Sequence, residues 1–92
     1  MSTILALFDA TDMNPEKYAR VMADLDAAGT AGPAGRIFHI AARKGEGMIV
    51  VDRWESGEML QAFSETLVPI LVKNGVTPPR PEVYPIQSLV AV

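Results

Sequence analysis

His39 is the one side chain in this sequence that titrates near neutrality without help. It lies in Arg36–Ala42, RIFHIAA, a stretch read as a central strand, where an aromatic-lined cavity would make it a general base or acid. The plainer reading is a core histidine satisfied by a backbone carbonyl or a water, and both readings stay open. With no cysteine and a single histidine, the chain has no thiol nucleophile, disulfide or thiolate metal site, and one copy cannot build a histidine metal cluster.

Trp54 could stack on an aromatic ligand or offer its indole N–H, although packing between a strand and the following helix suits it equally. Tyr18 and Tyr84 each combine an apolar ring with a hydroxyl that can orient a ligand or simply reach water. Phe8, Phe38, Phe63, Met22, Met48 and Met59 fit core-filling roles, and flexible methionines also suit a pocket that accepts several ligands. Asp9, Asp12, Asp52 and Glu55 form no pair that spacing alone brings together, so neither a carboxylate dyad nor a magnesium site is expected. No phosphate-loop, dinucleotide, nucleophile-elbow or zinc-protease motif occurs.

The elements that must position these groups follow from periodicity. Thr3 to Asp9 is an apolar run of strand length. Asn14-Pro15-Glu16 starts a helix with an Asx cap, a proline at its first position and an acid in its first turn, and Tyr18, Val21, Met22 and Leu25 keep helical spacing up to about Ala28. Arg36–Ala42 and Met48–Trp54 are two strands that the polar turn Arg43 to Gly47 joins into a hairpin. Ser56 then caps a second helix in which Leu60, Phe63, Leu67 and Leu71 share a face, with a kink expected at Pro69 and an end at Lys73-Asn74-Gly75. Thr77 to Pro81 is an extended connector, and Glu82–Leu89 is a final strand. The order β-α-β-β-α-β predicts an α+β, ferredoxin-like fold in one domain, residues 1–92, with two helices on one face of an antiparallel sheet.

The bare sheet face needs a cover. Hydrophobic residues make up 49% of the chain, and a domain this short removes only about 60–65% of its unfolded surface from water, so a homodimer joined through the sheets is expected. The net charge of -3 has no basic block behind it, which argues against nucleic acid. Neither a signal-peptide pattern nor an apolar run of membrane-spanning length is present, so a cytoplasmic setting without membrane contact is expected.

Taken together, Gly35 with His39, the segment Val51-Asp52-Arg53-Trp54-Glu55-Ser56, Phe63, and the ending Pro81-Glu82-Val83-Tyr84-Pro85-Ile86 resemble the dimeric α+β barrel superfamily, in particular its small antibiotic biosynthesis monooxygenase-like proteins. The resemblance implies a cofactor-independent monooxygenase acting on aromatic or polyketide-like compounds, with His39 as the catalytic residue and Trp54, Tyr84, Tyr18 and Phe63 around the substrate. A cyclase and a non-catalytic ligand-binding dimer are the alternatives it implies. Haem-degrading relatives are expected to carry a tryptophan and a histidine in the second helix and an asparagine on the first strand. This chain has Phe63 and Lys73 near the two helix positions and no asparagine between Thr3 and Asp9, so haem degradation is disfavoured, and the resemblance to cofactor-independent enzymes implies no other cofactor.

Overall fold

The computed structural model describes residues 3–90. Its elements are β1 (Ile4–Ala10), α1 (Pro15–Ala27), β2 (Arg36–Lys44), β3 (Gly47–Trp54), α2 (Gly57–Lys73) and β4 (Glu82–Pro85). The strands form one sheet in the order β2-β3-β1-β4, and every neighbouring pair is antiparallel.

Local chemistry explains where the helices begin and end. The Asn14 side chain accepts the Lys17 N–H at 2.8 Å, and the Ser56 hydroxyl accepts the Met59 N–H at 3.2 Å, each satisfying an amide with no partner inside its helix. Both C-termini close in a Schellman pattern: Thr30 N–H reaches the Leu25 carbonyl and Val76 N–H the Leu71 carbonyl. α2 runs through Pro69 as one element, although proline cannot donate to the Glu65 carbonyl one turn back.

The hairpin is tighter than the sequence suggested. β2 continues to Lys44, which pairs with Gly47, so only Gly45 and Glu46 form the turn. Gly45 has φ 59°, and among the described residues no non-glycine has positive φ, the pattern of a type II′ turn. β2 is an edge strand, not a central one. Each βαβ crossover skips one position in the sheet, and the hairpin places β3 in the gap between β1 and β2. The last strand stops at Pro85 rather than Leu89, because Pro85 already faces Ile4, the first residue of β1. One further bond, from Ile86 N–H to the Thr3 carbonyl, ends the pairing.

Alternation divides the sheet into two faces. Ala6, Phe8, Ala10, Met48, Val50 and Trp54 pack with Val21, Leu25, Leu60, Phe63 and Leu71 of the helices in one buried cluster. The other face carries Leu5, Leu7, Ile49 and Val51 on the central strands and Phe38, Ile40 and Tyr84 toward the edges. Phe38 and Ile40 are each 52% exposed, more than large apolar side chains on a sheet face ordinarily are.

Candidate active site

Four polar side chains meet under the helices. Residues two apart on a strand share a face, so β3 places Asp52 and Trp54 together, and the Trp54 indole N–H donates to Asp52 Oδ2 at 3.1 Å. Across the hairpin Asp52 lies directly opposite His39, and His39 Nδ1 sits 2.6 Å from Asp52 Oδ1. α1 presents Tyr18 on the same inward face as Val21 and Leu25, with its hydroxyl 2.9 Å from His39 Nε2. The two rings are nearly parallel, with 4° between their planes.

Proton positions follow from the acceptors. Asp52 is 3% exposed, and as a carboxylate it can only accept, so Nδ1 of His39 carries the proton and, in the neutral ring, Nε2 holds the free lone pair. The Tyr18 hydroxyl donates to that lone pair. Burial pushes the Tyr18 hydroxyl above its ordinary value; the Arg36 cation pulls it partly back, and Asp52 adds to the rise. Tyr18 is therefore a phenol that keeps its proton and donates it in the hydrogen bond to His39. Among the described residues no buried side-chain nitrogen or oxygen lacks a partner, which is what keeps a buried carboxylate tolerable.

The relay opens on a cavity of about 50 Å³ between sheet and helices. Its walls are apolar, from Phe8, Met13, Leu25, Val50, Phe63 and Leu67 among others, and its polar lining is Tyr18, Arg36, His39 and Asp52. A base that lines an apolar recess and is hydrogen-bonded to a phenol in the same wall is a setting for proton abstraction from a bound acid. Among the described residues no group of three or more histidines and carboxylates could hold a metal. No helix among them is long and apolar enough to cross a membrane.

Three of the residues expected at the site, His39, Tyr18 and Phe63, line this cavity. Trp54 lies behind it, fully buried, 5.5 Å from the Phe63 ring centre; it anchors the packing and fixes Asp52. Tyr84 stands elsewhere. It is opposite Leu5 on the helix-free face, 53% exposed, and its hydroxyl donates to Glu82 at 2.7 Å. Asp52 and Arg36 also line the cavity, although the residue pattern offered no reason to place either at the site. Asp52 was within reach of counting: from the Lys44–Gly47 pair, five residues back along β2 and five forward along β3 give His39 opposite Asp52. For Arg36 no comparable local signal exists, because a bulge sets its direction.

The fold and the half-buried relay define a ferredoxin-like α+β protein with a small apolar site. No protein-family model matches the chain, and no curated protein matches it in sequence. Solved structures do match. SnoaB, a cofactor-independent oxygenase from Streptomyces nogalater, is 14% identical with a TM-score of 0.63, over 97% of this chain and 95% of that one. A protein of unknown function from Nitrosomonas europaea is 15% identical with a TM-score of 0.62, over 99% and 93%. A candidate antibiotic biosynthesis monooxygenase from Chloroflexus aurantiacus is 10% identical with a TM-score of 0.58, over 98% and 96%. At such identities the likeness is one of fold: this chain adopts the fold of the antibiotic biosynthesis monooxygenase-like proteins.

Proposed function

We propose that this protein is a small-molecule enzyme of the cofactor-independent oxygenase kind, working as a cytoplasmic homodimer on a phenolic aromatic compound. The observation that carries the reading is the Tyr18–His39–Asp52 relay lining an apolar cavity, in which the imidazole lone pair is met by the Tyr18 hydroxyl. Asp52 holds the tautomer in which Nε2 accepts, and it balances the imidazolium that forms. His39, directly or through the Tyr18 oxygen, removes the phenol proton.

The phenolate is electron-rich enough to react with oxygen without help from a cofactor. A phenol with an unsubstituted para carbon forms a hydroperoxide there, and loss of water leaves the quinone. One oxygen atom stays on the ring and the other leaves in water, and the substrate supplies all four electrons. The apolar walls exclude bulk water from the intermediate.

The helix-free face supports the dimer. Leu5, Leu7, Phe38, Ile40, Ile49 and Val51 form an apolar surface, which a second copy of the same sheet would cover. A second reading draws on the small cavity. About 50 Å³ is well below the roughly 300–1,000 Å³ of ordinary ligand sites, so catalysis requires the cavity walls to give way. Walls that stay shut would leave a non-catalytic dimer of the same fold.

Oxygen uptake with a panel of phenols and hydroxylated polycyclic aromatics tests the proposal. His39→Gln should remain folded and lose turnover by about 10²-fold or more. Unfolding of that variant assigns His39 to the core; full turnover places the base elsewhere. Conversion without oxygen uptake identifies a cyclase, and ligand binding without conversion identifies the non-catalytic protein.

A further inference from the structure

The direction of Arg36 is built into the backbone. Residues three apart on a regular strand face opposite sides, so Arg36 and His39 would ordinarily point apart. A β-bulge between Arg36 and Phe38 inserts one residue, pairing Arg36 with Trp54 while His39 pairs with Asp52. Since Asp52 and Trp54 share a face, the bulge turns Arg36 toward the helices, the re-aiming for which bulges beside active sites are known. Just before it Gly35 has φ 89° and accepts the Glu55 N–H at 2.8 Å. A β-carbon at Gly35 would collide with the Met59 side chain, so only glycine lets the chain enter β2 along this path.

Among the described residues the guanidinium so placed has no anion of its own. It lines the cavity, stands 6.0 Å over the Phe63 ring, and donates one hydrogen bond, to the Ala31 carbonyl at 2.9 Å. A guanidinium has five N–H donors in a planar fork. The acid in the cavity wall, Asp52, has both oxygens committed to His39 and Trp54. Among the described residues the ion pairs join His39 to Asp52, Lys44 to Asp9 and Lys73 to Asp24, and none includes Arg36. A half-buried cation facing an apolar recess is stabilised most by a carboxylate that takes two of its donors at once.

We propose that the ligand of this cavity is an aromatic carboxylate, held by Arg36 through its acid group and by Phe63 through its ring. The inference rests on the reading that this cavity is the ligand site, and it is independent of turnover. Arg36 is then a specificity-determining residue. It selects acids over neutral analogues and sets the ring beside Tyr18 and His39.

Titration calorimetry at pH 7.5 with 3-hydroxy-2-naphthoate and its neutral carboxamide tests this, because the two share ring and phenol and differ in charge. The wild-type chain should bind the acid about 10–100-fold more tightly, the scale of a charge-assisted hydrogen-bonded pair. Arg36→Met should bring the two ligands to parity, and Arg36→Lys should keep part of the preference, since an ammonium offers charge without the fork. His39→Gln should retain the full preference even where oxygen uptake is lost, which separates failure of the catalytic reading from failure of this one. Equal affinities in the wild-type chain, no binding of either compound, or an undiminished preference in folded Arg36→Met overturns the inference. The wild-type comparison decides the matter even if Arg36→Met does not fold.

Discussion

Replacing Asp52 with asparagine keeps the shape of the side chain and removes its charge, which makes the relay's logic measurable. Both neighbours of Asp52 are donors in the native chain, His39 at 2.6 Å and the Trp54 indole at 3.1 Å. An asparagine can accept from only one of them, since its other end is itself a donor. Trp54 is 0% exposed and its N–H has no second tautomer, so the amide oxygen must stay with the indole. The amide NH₂ then faces His39 Nδ1 and drives the ring into the form protonated at Nε2. Two charge-assisted bonds become neutral ones, a loss of about 1 kcal/mol each, partly offset because no charge remains buried. A net cost of about 1–2 kcal/mol lowers the melting temperature by roughly 5–15 °C in a chain of this size. The effect on turnover should be far larger, about 10²-fold or more, because Nε2 no longer has a lone pair to take a proton. With one histidine in the chain, ¹⁵N NMR reads the tautomer without ambiguity: Nδ1 protonated in the native protein, Nε2 protonated in Asp52→Asn. An Asp52→Asn chain that keeps its proton on Nδ1, or turns substrate over at the native rate, refutes the relay.

Trp54→Ala should cost about 3–5 kcal/mol through the cavity it leaves, against about 1 kcal/mol for Ser56→Ala, which loses only a helix cap; urea denaturation followed by circular dichroism ranks them, and the reverse order would show the strand-to-helix junction to be misassigned. Asp12 accepts from the Thr77 N–H and hydroxyl, and these bonds hold its carboxyl below the usual carboxylate range. Its contribution is complete above the unfolded value of about 4 and disappears as pH falls through the lowered folded value, so Asp12→Asn should flatten the acid limb of the stability curve. Urea midpoints between pH 7 and pH 3 that run parallel for the two proteins would contradict this. Light scattering at low micromolar concentration should give twice the mass of one chain, and a monodisperse monomer would remove the proposed sheet-to-sheet dimer.

The elements of this fold were legible because their signals are local. A cap three residues from its amide, a proline at the first helical position and apolar residues three or four apart depend on neighbours along the chain, and α1, α2 and the β3–α2 junction lie where those signals put them. The strand boundaries were less legible, because strand length depends on the partner. β4 ends where β1 runs out, and no property of Gln87 or Leu89 records that.

The site divides in the same way. That His39 was the chain's one ready base was determined by composition. Its partners depended on register. A five-residue turn would have set His39 against Val51, whereas the two-residue turn at Gly45-Glu46 sets it against Asp52; one residue of slip exchanges an apolar neighbour on one face for a carboxylate on the other. The same dependence explains Tyr84, which reads as a pocket residue by type and stands on the opposite side of the sheet by alternation. Arg36 depended on still more. Its direction comes from a bulge that exists only once β2 is paired with β3 and Gly35 is pressed against Met59. Residue types and spacings along the chain thus determined the helices, the strands and the presence of one imidazole, while contacts between residues far apart in sequence decided which groups face it.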